Sequence, residues 1–231
     1  MKYIKLYESF EDIDSICEKY GIQNYTINSD GVVDVDGNVY LFNSGLNKLP
    51  LKFGKVSGYF DCSLNKLISL EGCPESVGDY FYSFANKLTT LEGCPKSVGG
   101  NLTCRSNELT TLEGCSKSVG GNFSCYHNNL ITLKGCPQSV GGDFNFARNQ
   151  LKDLYGFPEF FDSEIYYDDN PVSEILDLFN TDRLGKFIDL LNEYGVIQQD
   201  GNVVILDRLE EVFYTLNMEI PEINLRNYEV Y

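Results

Sequence analysis

The sequence predicts an α/β solenoid: a curved parallel sheet of about seven short strands, a helix-poor opposite side, an α-helical N-terminal cap, and a C-terminal cap of helices with a β-hairpin. Three observations predict it. Ser44, Asn65, Asn86, Asn107, Asn128, Asn149 and Asn170 stand 21 residues apart, with no insertion or deletion between them. An aliphatic residue follows each anchor by two positions (Leu46, Leu67, Leu88, Leu109, Leu130, Leu151, Val172) and another by five (Leu49, Leu70, Leu91, Leu112, Leu133, Leu154, Ile175). Before the anchors, core-type residues alternate, as in Phe60/Cys62, Leu102/Cys104, Phe123/Cys125, Phe144/Phe146 and Ile165/Tyr167. A period of roughly 20 to 50 residues marks stacked units that cannot bury their apolar faces singly and share one continuous core.

Residues 1–34 read as the N-terminal cap. Over residues 3–20, Ile4, Phe10, Ile13, Ile16 and Cys17 fall near one helical face, and Gly21 supplies a stop. The segment from Tyr25 to Val35 reads as a hairpin turning at Asp30-Gly31. Such a cap is needed because the first coil otherwise leaves an apolar end and an unpaired strand edge in water.

Residues 35–175 form the solenoid, with the unit Val-Gly-Gly-x-Phe-x-Cys-x-x-Asn-x-Leu-x-x-Leu-x-Gly-Cys-Pro. Alternation around Phe and Cys makes a short strand with one face in the core. Asparagine suits the corner that follows: its amide can bond nearby backbone and reach the next coil, and it tolerates unusual dihedrals. Ser44 is the one departure. Pro and Gly-Gly on the return path exclude an α-helix there, since each costs a helix roughly 1 to 3 kcal/mol. Residues 176–231 read as an acidic C-terminal cap. Helices are expected over Val172 to Phe179, with Asp182 near the start of a second from Leu184 to Tyr194. A hairpin at Asp200-Gly201 and a helix over roughly residues 206–217 follow.

The formal net charge is −16, from 34 acidic and 18 basic residues. It is −3 over residues 1–64, −5 over 65–170 and −8 over 171–231. This argues against a surface that follows phosphate backbones, so no direct nucleic-acid partner is expected. No apolar run approaches the roughly 18 residues of a membrane helix, and residues 1–12 turn acidic before a signal-peptide core can form; a cytoplasmic protein is expected.

Seven of the eight cysteines fall in two repeat columns: Cys62, Cys104 and Cys125 on the strand, and Cys73, Cys94, Cys115 and Cys136 eight residues after the anchors. Ser83 and Phe146 substitute in the first column and Phe157 extends the second, so free, buried thiols are expected. Stacked neighbours about 4.8 Å apart lie within disulfide range, but parallel Cβ directions make the bridging geometry poor. No C-x-x-C or His pairing supports a metal site, and no cofactor is expected. Cys17 is expected to pack on the cap helix.

The pattern V-x-x-x-F-x-C-x-x-N-x-L-x-x-L resembles the leucine-rich repeat family's L-x-x-L-x-L-x-x-N-x-L-x-x-L over about residues 35–175. Its short, helix-poor unit is similar to the bacterial effector subtype, and N-x-L-T-T-L-E-G-C-P-x-S-V-G-G is similar to leucine-rich proteins of large tailed phages. Phe replaces the first strand leucine, Cys the second, and V-G-G-x-F lengthens the strand's approach by one residue. Ligase effectors with similar repeats carry a separate catalytic-cysteine domain, whereas the residues after this repeat contain no cysteine.

No phosphate-binding Gly loop, H-E-x-x-H or nucleophile elbow is present, and the only histidine, His127, has no sequence-defined partner, so it reads as a surface residue rather than a base. No catalytic residue is expected. The outward strand columns are more informative. Six, four and two residues before the anchors stand Tyr59 and Tyr80; Tyr40, Asp61, Tyr82 and Tyr166; and Phe42, Phe84, Arg105, Tyr126 and Asp168. Tyr40, Phe42, Tyr59, Asp61, Tyr80, Tyr82, Phe84, Arg105 and Tyr126 are therefore the expected partner-binding residues on a concave strand face, because rigid rings bury much area at little entropic cost. The competing reading is that the rings merely stack along the sheet. The expected function is a non-enzymatic protein-binding module, of a host factor if phage-encoded. Two alternatives are an acidic nucleic-acid mimic that blocks a DNA-binding protein, and a virion-associated protein whose Leu6-Tyr7-Glu8 resembles an L-x-E leader signal.

Overall fold

The computed structural model describes residues 12–161, 163–179, 184–198 and 201–231. The repeat folds as a parallel β-solenoid of about six turns with short terminal helices. Each turn contributes two strands rather than one. The expected sheet runs through Val39–Tyr40, Phe60–Asp61, Phe81–Tyr82, Leu102–Thr103, Phe123–Ser124, Phe144–Asn145 and Ile165–Tyr166, seven strands in parallel register. A second, eight-stranded sheet corrects the expectation of a single one: Ser76–Val77, Ser97–Val98, Ser118–Val119 and Ser139–Val140 pair in parallel on the return path. Pro and Gly exclude helix there, but stacking at a fixed 21-residue period also places like backbone beside like backbone, and the unpaired N–H and C=O groups pair.

The columns identified from the period form the core. Leu67, Leu88, Leu109, Leu130 and Leu151 are fully buried, as are Leu70, Leu91, Leu112 and Leu133. Each such leucine contributes about 2 kcal/mol through apolar burial. Phe60 stacks on Phe81 and Phe123 on Phe144, with centroids 5.9 and 5.2 Å apart. All eight cysteines are free; Cys17, Cys62, Cys104 and Cys125 are buried, while Cys73, Cys94, Cys115 and Cys136 are half-buried. Burial pushes the Cys104 and Cys125 thiols well above their ordinary range, so they stay protonated at neutral pH.

The asparagine ladder holds the corners. Asn107 Nδ2 donates to the Ser83 carbonyl of the preceding coil (3.0 Å) and to its own coil's Cys104 carbonyl (3.0 Å), while Oδ1 accepts from Leu88 N–H (3.1 Å). Asn65, Asn86, Asn128, Asn149 and Asn170 repeat this arrangement. Ser44 departs because no earlier coil offers it partners; its Oγ reaches only the Phe42 carbonyl. One detail differs from expectation. The left-handed residue is the one before each anchor: Asn43, Leu64, Ala85, Ser106, His127, Arg148 and Asp169 have φ between 50° and 57°. His127 is exposed at such a corner, as its surface reading requires.

Ser83 occupies the position held by Cys62 and Cys104 in the adjacent coils. Its hydroxyl is buried without a hydrogen-bond partner. Ser83→Cys is expected to stabilise the protein by about 1 kcal/mol, since a thiol tolerates burial that a hydroxyl does not. A urea denaturation midpoint equal to or below that of the parent chain overturns this.

The N-terminal cap has α1 at Ile13–Lys19, N-capped by Asp12, whose carboxylate accepts from Ser15 N–H at 2.7 Å. Leu6-Tyr7-Glu8 and the expected helix start at residue 3 lie outside the described residues. Tyr25–Ile27 and Val33–Val35 form the expected hairpin, and its second strand is the first parallel rung of the eight-stranded sheet. At the other end stand α2 (Ser173–Leu176), α3 (Leu184–Glu193) and α4 (Leu206–Thr215), shorter than expected by four, one and two terminal residues respectively. Asp182 and Asp200 lie outside the described residues, but an antiparallel bridge from Ile197 to Val204 agrees with the hairpin. The chain end returns as Glu229–Val230 beside Val203–Val204, a pairing the sequence did not announce. Glu174 accepts from Arg226 N–H and Asn227 N–H, and Tyr228 OH donates to the Lys152 carbonyl, tying this tail to the last coils.

Candidate functional site

Strand alternation sends the columns six, four and two residues before each anchor to the outer face of the seven-stranded sheet. Tyr40 is 55 % exposed; Phe42, Tyr59, Tyr80, Tyr82, Phe84 and Tyr126 are half-buried, and Arg105 is exposed. Asp61 is the exception among the expected outward residues, at 8 % exposure. It lies in register between Tyr40 and Tyr82 of the flanking coils, and the surrounding rings take it out of water.

Six of the expected residues form one chain of ring contacts. Tyr59 stacks on Tyr80 (5.0 Å), Tyr80 on Tyr82 (4.8 Å), Tyr82 meets Phe84 edge-on (6.3 Å), Phe84 meets Phe42 (6.4 Å), and Phe42 stacks on Tyr40 (5.7 Å). The Phe42–Phe84 contact spans two coil spacings because the residue between them in the column, Ser63, is small; it is fully buried. Arg105 places its guanidinium 4.5 Å from the Phe84 ring centre at the margin of this set. Tyr126 is not brought into it. It meets His127 and carries Arg148 at 5.5 Å, a cation–ring pair that column reading missed although the two residues occupy neighbouring columns of successive coils.

Asp61 Oδ1 accepts from Ser63 N–H at 2.9 Å. Its second oxygen has no hydrogen bond or ion pair among the described residues. The Tyr80 hydroxyl is pushed up from its ordinary value, first by desolvation and then by interaction with Asp79, Tyr82, Tyr59 and Asp61.

A more voluminous groove lies elsewhere. It measures about 1010 Å³ and follows the eight-stranded sheet over Ser97, Gly99, Ser118 and Gly120, from Asp36 towards Phe160. Its smooth floor has a structural cause. A Cβ built on Gly99 falls under 3.0 Å from the Gly78 carbonyl oxygen, and one on Gly120 equally close to that of Gly99, so coil stacking alone demands glycine. A second cavity of about 830 Å³ sits where Lys152, Asp153 and Tyr155 meet Asn202. Burial raises the Asp153 carboxyl above its ordinary value.

Among the described residues Lys134 pairs with Glu113 (2.7 Å) and Lys96 with Glu75 (3.9 Å), both exposed. Such pairs contribute little to stability. No group of three or more His, Cys, Asp or Glu among the described residues is arranged to hold a metal ion, and no described helix is long and apolar enough to cross a membrane. Comparison with family models, with curated proteins and with solved structures finds no match for this chain.

Proposed function

We propose that this chain is a non-enzymatic protein-binding module, a short-unit leucine-rich repeat solenoid, that engages its partner through the aromatic set from Tyr40 to Phe84. One observation carries the reading. Six residues before the anchor, Asn38, Asn101 and Asn122 each use their side-chain oxygen to accept the backbone N–H of the next coil, at 2.8 to 3.0 Å. Tyr59 and Tyr80 stand in that same column and cannot offer this acceptor. The coils there forgo an inter-coil bond in exchange for rings on the outer face. Stacking for stability does not require those rings either, because Thr103, Ser124 and Asn145 occupy the column of Tyr40 and Tyr82 in later coils without breaking the ladder. Rigid, half-exposed rings confined to three successive coils have the character of an interface core.

The test compares three proteins immobilised for affinity capture from a bacterial extract: the parent, Tyr82→Ser/Phe84→Ser, and a groove variant, Ser97→Lys. Circular dichroism establishes that each is folded. A protein retained by the parent and by the groove variant but reduced roughly tenfold on the double variant is expected, in line with the loss of interface anchors. Equal retention by the folded double variant, or loss on Ser97→Lys alone, overturns the reading.

A further inference from the structure

Asp61 carries more charge than the fold requires. Seen along the sheet, Tyr40 and Phe42 stand on one side of it, Tyr82 and Phe84 on the other, and Tyr59 and Tyr80 close a third side, so six rings surround a single carboxylate. The residue is 8 % exposed, and the carboxylate's one hydrogen bond is to a neutral backbone N–H, which leaves its second oxygen open to a donor. A cation donating to that second oxygen makes a charge-assisted hydrogen bond at the ring face. The local turn does not need the charge. Asn145, in the same column four coils further on, turns in the same manner, its Oδ1 accepting from Ala147 N–H at 3.1 Å. Beneath the rings, the Ser63 hydroxyl is buried without a partner.

We infer that this ring-enclosed carboxylate is the seat for an arginine side chain of the partner, which deepens and rests on the protein-binding reading given above. A guanidinium matches both parts of the site: its N–H groups pair with carboxylate oxygen and its flat face lies on aromatic rings. Arg105 over Phe84 shows that a guanidinium is accommodated at the edge of this same ring set. The carboxylates of Asp61 and Asp79 beside Tyr80 and the chain's net charge of −16 both favour a cationic segment over an acidic or neutral one. A lysine ammonium supplies charge without the flat face, and a quaternary ammonium supplies charge without donors for the carboxylate.

The probe is acetyl-Gly-Gly-Arg-Gly-Gly-amide, titrated into the intact chain and followed by tyrosine ring resonances in NMR. Shifts at Tyr40, Tyr59, Tyr80 and Tyr82 are expected, with affinity roughly tenfold weaker for the citrulline peptide, which is neutral, and for the trimethyl-lysine peptide. Asp61→Asn is expected to abolish the difference between arginine and citrulline while leaving the thermal midpoint of the protein unchanged or higher. Equal binding of arginine and citrulline peptides, a preference for trimethyl-lysine, unaltered arginine binding by the folded Asp61→Asn variant, or shifts confined to the acidic C-terminal helices would falsify the arginine seat. Such a failure leaves the protein-binding reading standing if Tyr82→Ser/Phe84→Ser still loses its partner; the loss of neither overturns both.

Discussion

Asn107→Ala is expected to destabilise the solenoid by about 3 to 4 kcal/mol, among the larger effects a single substitution produces. The amide makes three hydrogen bonds in buried surroundings and a longer one to the Arg105 carbonyl, and its removal strands the Leu88 N–H of the preceding coil. Alanine supplies neither donor nor acceptor, and the site is closed to water. Because each coil touches only its neighbours, the loss is local: hydrogen exchange should accelerate in the backbone flanking Ser83 and Cys104 before it does near Leu151. Asn107→Asp separates the amide's two roles. Its oxygen can still accept from Leu88 N–H, but a carboxylate faces the Ser83 and Cys104 carbonyls where N–H groups stood. Burial and those carbonyls raise the folded-state pKa of the new acid, so its penalty is smallest below about pH 4, where both states are protonated, and grows as pH rises. Urea midpoints for both variants at acidic and neutral pH measure this. An Asp variant insensitive to pH, or an Ala variant within about 0.5 kcal/mol of the parent, contradicts the ladder's assigned role.

The second large effect is expected at Gly99. A methyl group there meets the Gly78 carbonyl, which is backbone of the adjoining coil and cannot swing aside as a side chain would. Gly99→Ala should therefore cost roughly 3 kcal/mol through strain, with the two coils forced apart. A control distinguishes this from a general glycine effect. Gly185 sits in α3 with open space where a Cβ would stand, so Gly185→Ala should be neutral or stabilising by up to about 1 kcal/mol. Thermal or urea unfolding that ranks the two substitutions in the opposite order refutes the close-approach argument. The same packing accounts for the smooth groove over the eight-stranded sheet without any ligand, which is why the larger volume there is a weaker guide to function than the aromatic face.

Particular residues show why part of the site was legible and part was not. Tyr40, Tyr82 and Phe84 were found by phase alone, because a strict period fixes which positions share a column and strand alternation assigns each column a face. Asp61 was placed in the right column but not at the right depth. Its exposure depends on how far the Tyr40 and Tyr82 rings extend over it and on the small Ser63 that lets Phe42 reach Phe84; these are matters of side-chain shape across three coils. The second sheet was missed for a related reason. Ser-Val followed by two glycines has little strand character by itself, and it pairs because stacking has already aligned it with its copies.

By itself the sequence determined the architecture: a 21-residue period kept in register imposes stacking, and apolar positions at fixed offsets from the asparagines can be buried only inside such a stack. It also placed the cysteines in or against that core, where they are free. Only the tertiary structure decided how deeply Asp61 sits among the rings and which of its oxygens is paired. The cost of a polar atom depends on the partners and water within about 3 Å of it, and around Asp61 those surroundings come from residues 21 positions away on either side.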